Sequence, residues 1–99
     1  MVLVLTTNIE EIDVLSIEYI KKSIEDLLPV DKYREIISYN DYKDVCRSVL
    51  GIALLKVYLN SCGYRIDSKL KYINGKPEIC GVGIEFNISH SGNWVTCAF

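Results

Sequence analysis

The residues with the most chemical potential are Ser89-His90-Ser91, where the chain's only histidine stands between two serines near a strand-to-turn junction. Serine beside histidine suggests a hydrolytic nucleophile and its base. Neighbours on an extended strand point to opposite faces, however, and cannot readily share a proton, so that reading is set aside. A partly buried imidazole satisfied by backbone groups is the plain alternative. Anion binding is the functional one, because serine hydroxyls, turn amides near Gly92 and a donating imidazole are groups that converge on a phosphate. Arg47 offers a bidentate phosphate donor, and Lys32 and Lys76 add two cations that a single anion-rich ligand would gather. Taken alone, an arginine in that position can equally lie in solvent.

Other chemistry is poorly provided for. Cys46, Cys62, Cys80 and Cys97 contain no Cys-x-x-Cys pair and share one histidine, which is poor arithmetic for zinc; they read as small buried hydrophobes of a reducing cytoplasm. Cys80-Gly81-Val82-Gly83 lacks the third glycine of a dinucleotide loop and precedes a strand instead of a helix. A net charge of −2 without a basic tract argues against nucleic acid as the main partner.

The elements that must position these residues follow from periodicity. Met1 to Asn8 reads as a first strand, without the basic leader of a secretory signal. Apolar residues from Ile9 to Leu28 recur at three- and four-residue steps, predicting one amphipathic helix ended by Pro29. A short helix over residues 31–37 comes next, then a long one with Asn40 as its N-cap and Gly63 as its stop. Gly51 inside the long helix implies a close approach by another segment. Asn74-Gly75 marks a tight reversal, and Pro77 confines its strand to an edge or loop. Strands around Phe86–Ile88 and Trp94–Phe99 flank a turn over residues 89–93, and a strand still running at Phe99 suggests an unpaired sheet edge.

Helices first and paired strands later predict an α+β fold, and 99 residues suffice for one domain. Apolar residues make up 49% and the mean hydropathy is +0.17, rich for a small soluble domain, so part of the surface is expected to meet a partner. No apolar run approaches the roughly 20 residues that span a bilayer.

Three segments in order, Cys46-Arg47-Ser48-Val49-Leu50-Gly51, Asn74-Gly75-Lys76-Pro77 and Asn87-Ile88-Ser89-His90-Ser91, resemble the first half of surfactin-type 4'-phosphopantetheinyl transferases. These enzymes load carrier proteins from coenzyme A. The resemblance covers about Lys32 to Phe99; the first strand and helix match in pattern only. It implies that residues 1–99 are a single N-terminal-type lobe of the family's pseudo-dimer, with helices packed on a small, mostly antiparallel sheet.

The resemblance further implies that Lys32 and Arg47 contact the 3'-phosphate of coenzyme A, that Lys76 and Pro77 border the adenine, and that Ser89 and His90 approach the phosphates. Glu35 and Cys46 stand where relatives are often basic and histidine, so affinity for the 3'-phosphate is expected to be weaker than usual. In the family a carrier serine attacks the pyrophosphate, magnesium stabilises the charge, a carboxylate acts as base, and adenosine 3',5'-bisphosphate leaves. Metal and base come from a Gly-x-Asp-x-Glu strand and a Trp-x-x-Lys-Glu helix, neither of which this sequence contains. Glu78 and Glu85 are the nearest acids and sit in no such motif. The resemblance thus implies the coenzyme A-binding half of a split cytoplasmic transferase, with magnesium held by a second chain and an acyl or peptidyl carrier protein as acceptor. A non-catalytic coenzyme A-binding or oligomerisation module, or a fragment without activity, is the alternative.

Overall fold

The computed structural model describes residues 3–64, 69–79 and 83–99. Strand β1 (Val4–Asn8) leads through a 3-10 turn at Ile9–Glu11 into helix α1 (Val14–Ile24), and a second 3-10 turn at Glu25–Leu27 precedes α2 (Val30–Ile37). Helix α3 (Tyr42–Ser61) follows, then β2 (Lys71–Ile73), β3 (Lys76–Glu78), β4 (Asn87–Ser91) and β5 (Trp94–Ala98). The architecture is α+β: three helices packed with a three-stranded antiparallel sheet of order β1-β5-β4, accompanied by the separate β2–β3 hairpin.

Helix α3 is the spine. Val45, Val49, Ile52, Leu55 and Leu59 pack with Ile24, Leu28, Ile36, Leu70 and Cys97. Cys46 and Leu50 pack on another side with Ile9, Ile17 and Val95. Apolar residues on more than one side are what a helix enclosed between other helices and a sheet requires. A Schellman motif stops it: Gly63 adopts φ +74°, its N–H reaches Asn60 O at 3.1 Å, and Tyr64 N–H reaches Leu59 O at 3.0 Å.

The expected single helix from Ile9 to Leu28 is interrupted. Asn8 accepts from Glu10 N at 2.9 Å and caps the 3-10 turn, whereas Asp13 accepts from Ser16 N at 2.7 Å and starts α1 afresh. Two capping side chains five residues apart overrode a continuous apolar period. That hydrogen bond to Ser16 also holds the Asp13 carboxyl below the usual carboxylate value. Likewise Asp41, not Asn40, caps α3 by accepting from Lys43 N at 2.9 Å.

Val95 and Cys97 are fully buried on the helix-facing side of β5, and burial pushes the Cys97 thiol up to about 11. β5 is the central strand, bonded to β1 from Val4↔Ala98 to Asn8↔Trp94 and to β4 from Asn87↔Ala98 to Ser91↔Trp94. The unpaired edge expected at the end of the sequence is therefore not there; β1 and β4 are the outer strands. The β2–β3 hairpin turns on Asn74 (φ +51°) and Gly75 (φ +79°), the conformation of a type I' reversal. Of the described cysteines, Cys46 and Cys97 are buried as expected, while Cys62, just past the end of α3, is exposed. Cys80 and the glycine-rich stretch it opens lie outside the described residues, Gly83 excepted. No helix among the described residues is long and apolar enough to cross a membrane.

Candidate functional site

Arg47 is placed by its helix and fixed by a turn. Capping at Asp41 sets Asp44 in the first turn of α3 and Arg47 three residues later on the same side. The guanidinium bonds Asp44 Oδ1 through Nη1 at 2.7 Å and donates from Nε to Gly92 O at 2.9 Å, leaving the side chain 17% exposed. That second bond reaches the reversal between β4 and β5, where Gly92 has φ +57°, so it joins helix to sheet.

His90 comes to Arg47 through the packing of α3 on β4. Ile88 and His90 share a strand face by alternation, and Ile88 presses on the helix at Gly51. A Cβ on Gly51 would stand 2.6 Å from Ile88 Cγ2, so the close approach anticipated from sequence is made by a side chain. Tyr39, Asp44, Arg47, Ser48 and His90 together line a cavity of about 230 Å³. Guanidinium, imidazole and two hydroxyls form a donor set suited to a phosphate-sized anion, with one carboxylate among them. Ser89 lies on the opposite strand face, exposed and in register with Thr96, and lines neither this cavity nor the next. Ser89, His90 and Ser91 all belong to β4, and the turn is confined to Gly92 and Asn93.

A larger cavity of about 610 Å³ lies between the β2–β3 hairpin and β4. Lys76, Pro77 and Glu78 border it on one side, with Ile84, Phe86 and Ile88 on the other. Ile79, Ile84, Phe86 and Ile88 give it apolar surface suited to a flat heteroaromatic ring, with Lys76 opposed at its border by Glu78 and Glu85.

Lys32 borders neither cavity. Its ammonium lies 3.4 Å from Glu35 Oε1 and 4.8 Å from the centre of the Tyr72 ring. Burial, helped by Tyr39 and Glu35, raises the Tyr72 hydroxyl to about 12. Tyr72 pairs across the hairpin with Pro77, which borders the larger cavity, while Tyr39 borders the smaller. The three cations expected to gather on one ligand are thus distributed, one at each cavity and one over the Tyr72 ring, outside the lining of both.

Sequence reasoning did not single out Tyr39, Asp44 or Ser48 as site residues. Asp44 was within its reach, since a carboxylate three residues before an arginine on a helix is a pairing signal. Tyr39 is brought in only by the tertiary fold. For magnesium the residues do not fit: no three His, Cys, Asp or Glu side chains among the described residues are grouped to hold a metal ion, although Glu78 and Glu85 both border the larger cavity.

No protein-family model matches the chain. No solved structure matches it either. It is 35% identical over 71 residues to the 4'-phosphopantetheinyl transferase gsp of Aneurinibacillus migulanus, an alignment that takes in 69% of this chain and 30% of that protein. The chain therefore spans about a third of the length of the curated relative it matches. Over that part of its length, the chain is similar to this 4'-phosphopantetheinyl transferase.

Proposed function

We propose that this chain is the coenzyme A-binding half of a 4'-phosphopantetheinyl transferase, which moves phosphopantetheine from coenzyme A to a serine of an acyl or peptidyl carrier protein. The observation that carries this reading is the meeting of Arg47 on α3 and His90 on β4 at one phosphate-sized cavity, with β2 and β3 between them in sequence. The larger cavity, bordered by Lys76 and Pro77, takes the adenine, and Lys32, over the Tyr72 ring, adds a cation outside the lining of both cavities. Ser89 faces away from the Arg47 cavity, so its role is toward a phosphate reaching the other side of β4.

In this reading the chain's own residues bind and orient. Arg47 and His90 donate hydrogen bonds to phosphate oxygens, and the hairpin holds the base. Magnesium and the proton acceptor come from a second polypeptide. The open face of the sheet, where Val4 and Trp94 are each about half exposed among Thr6, Thr96 and Ser89, offers that polypeptide a surface. A reducing cytoplasm suits the two buried thiols. A non-catalytic coenzyme A-binding module is the second reading, favoured by the lack of a three-ligand group among the described residues.

Intact mass of an apo carrier protein separates these readings. It is incubated with this chain, coenzyme A and magnesium, with and without a second chain carrying Gly-x-Asp-x-Glu and Trp-x-x-Lys-Glu motifs. The phosphopantetheine mass increment only when both chains are present is the expected result. No increment in either tube, with coenzyme A bound by this chain, leaves the binding module, and transfer by this chain alone overturns the split.

A further inference from the structure

We propose that the outer face of α1 is a self-association surface, on which a second copy of this chain docks in antiparallel alignment across a two-fold axis. The inference stands apart from the coenzyme A reading, because no residue of α1 lines either cavity.

Leu15, Tyr19 and Val14 are the three most exposed large apolar residues among those described, at 83%, 76% and 60%, and all three lie on α1. Single exposed apolar residues are ordinary on a protein surface, but Leu15 and Tyr19 are four apart and form one ridge, with Lys22 three residues further along it. The opposite side of α1 is committed to the core: Ile17 and Ile24 are buried, and Ile17 packs with Leu50 and Val95. Helix α1 therefore lies on the helix side of the sheet, and its ridge looks away from the open face that carries Val4 and Trp94. Tyr42, exposed at the start of α3, extends the patch. Its hydroxyl is raised by burial and by a hydrogen bond with Cys46, and then by the charges of Glu18 and Asp13, which stand close to it at the start of α1.

Charge selects the occupant. Glu11, in the 3-10 turn before α1, precedes Leu15 by four residues, and Lys22 follows Tyr19 by three in the last turn. Lys21 is held by Glu18 at 2.6 Å, whereas Glu11 and Lys22 make no ion pair among the described residues. The ridge thus has an acidic end, an apolar middle and a basic end. A partner of one sign would meet a like charge at one end, while a second copy running the opposite way meets opposite charges at both. In that alignment Leu15 of each copy covers Tyr19 of the other, and Glu11 of each approaches Lys22 of the other. The helix dipoles, antiparallel across the axis, favour the same arrangement. With 11 residues, α1 is about 16 Å long. That is too short to bury the roughly 800 Å² per partner of a tight complex, so the dimer is a weak one, with Kd on the order of 100 µM.

Sedimentation equilibrium of the whole chain from about 10 µM to about 1 mM tests this. The average mass is expected to rise from the 11.3 kDa of the monomer toward twice that value, with half the chains paired near about 100 µM. Leu15→Ala combined with Tyr19→Ala, both at exposed positions and both favourable to a helix, should raise Kd by about tenfold or more. Glu11→Lys and Lys22→Glu should each raise it by about threefold to tenfold. An equimolar mixture of those two variants, or both changes in one chain, should restore association, since every charge then faces its opposite. A chain that stays monomeric throughout the range would overturn the inference. So would a dimer that survives the loss of Leu15 and Tyr19, one that is abolished by Trp94→Ala instead, or charge reversals that add when combined.

Discussion

Arg47 has two tasks, and a substitution separates them. One is structural: its Nε bond to Gly92 ties the start of α3 to the β4–β5 reversal. The other is the proposed phosphate contact. Arg47→Ala should weaken coenzyme A by about 1.5 kcal/mol, the low end for a charge-assisted bond because Asp44 shares the guanidinium, and should lower stability by about 1 kcal/mol. Arg47→Lys restores the charge but not the fork, so it should recover part of the affinity and little of the tie to Gly92. Calorimetry and urea unfolding read the two effects separately, and unchanged coenzyme A affinity in Arg47→Ala would remove Arg47 from the site. His90 depends on the same geometry at one remove, since its strand is seated by Ile88 against α3.

At the scale of elements, the contact of α3 with β4 is where fold and site depend on each other. Gly51→Ala gains about 1 kcal/mol of helix propensity but drives a Cβ to 2.6 Å from a β-branched side chain, an overpacking that costs about 1 to 3 kcal/mol. The expected outcome is a net loss of stability with a weaker coenzyme A complex, because β4 must move and carries His90 with it. Thermal unfolding and titration of the same variant check it; a stabler variant with unchanged affinity would mean that the contact yields without cost. Gly51 shows how far sequence reasoning reaches. A glycine inside a helix announces a close neighbour, Asn74-Gly75 announces a hairpin, and Gly63 announces a helix stop, since each rests on backbone geometry local to a few residues. The break between Ile9 and Val14 was not legible from period alone, because Asn8 and Asp13 are each an acceptable cap and only the packing of Ile9 and Ile17 makes both act. The central place of β5 is a long-range pairing that no local pattern encodes. At the site, His90 and Arg47 were legible as phosphate-binding types, whereas Tyr39 and the separation of Lys32 from the cavities arise from the fold.

For the whole molecule, the buried titratable groups fix how stability responds to alkali. Folding raises Cys97 from an ordinary value of 9.0 to about 11 and Tyr72 from 10.0 to about 12, chiefly through burial. Both groups are neutral in the folded chain at pH 7. A raised folded value means the contribution is fully present below the ordinary value and is lost as pH climbs through the folded one. Stability should therefore decline from about pH 9, with Cys97 responsible for the first part, up to about 2 to 3 kcal/mol for a fully buried thiol. Urea midpoints across the alkaline range, in the native chain and in Cys97→Ala, test this; the variant starts lower but should decline less between about pH 9 and 11. Equal slopes would show that the thiol is not the group responsible.

The middle strand of the sheet is the one that pairs with the chain's first strand, so the two partners of its inner edge are separated by almost all the described sequence. Such pairing has high contact order, and the loop it closes has little to offset its entropy until the helices have collapsed. Folding is thereby ordered in time. α3 with α1 and the β2–β3 hairpin can assemble from near neighbours, whereas β1 must wait, its backbone unpaired, for β5 to leave the ribosome. The cavity shared by Arg47 and His90 is finished in that same closing step, because Gly92, which holds Arg47, lies in the turn that leads into β5. A half-made chain of this protein can carry its helices and still lack the cavity proposed to take a phosphate.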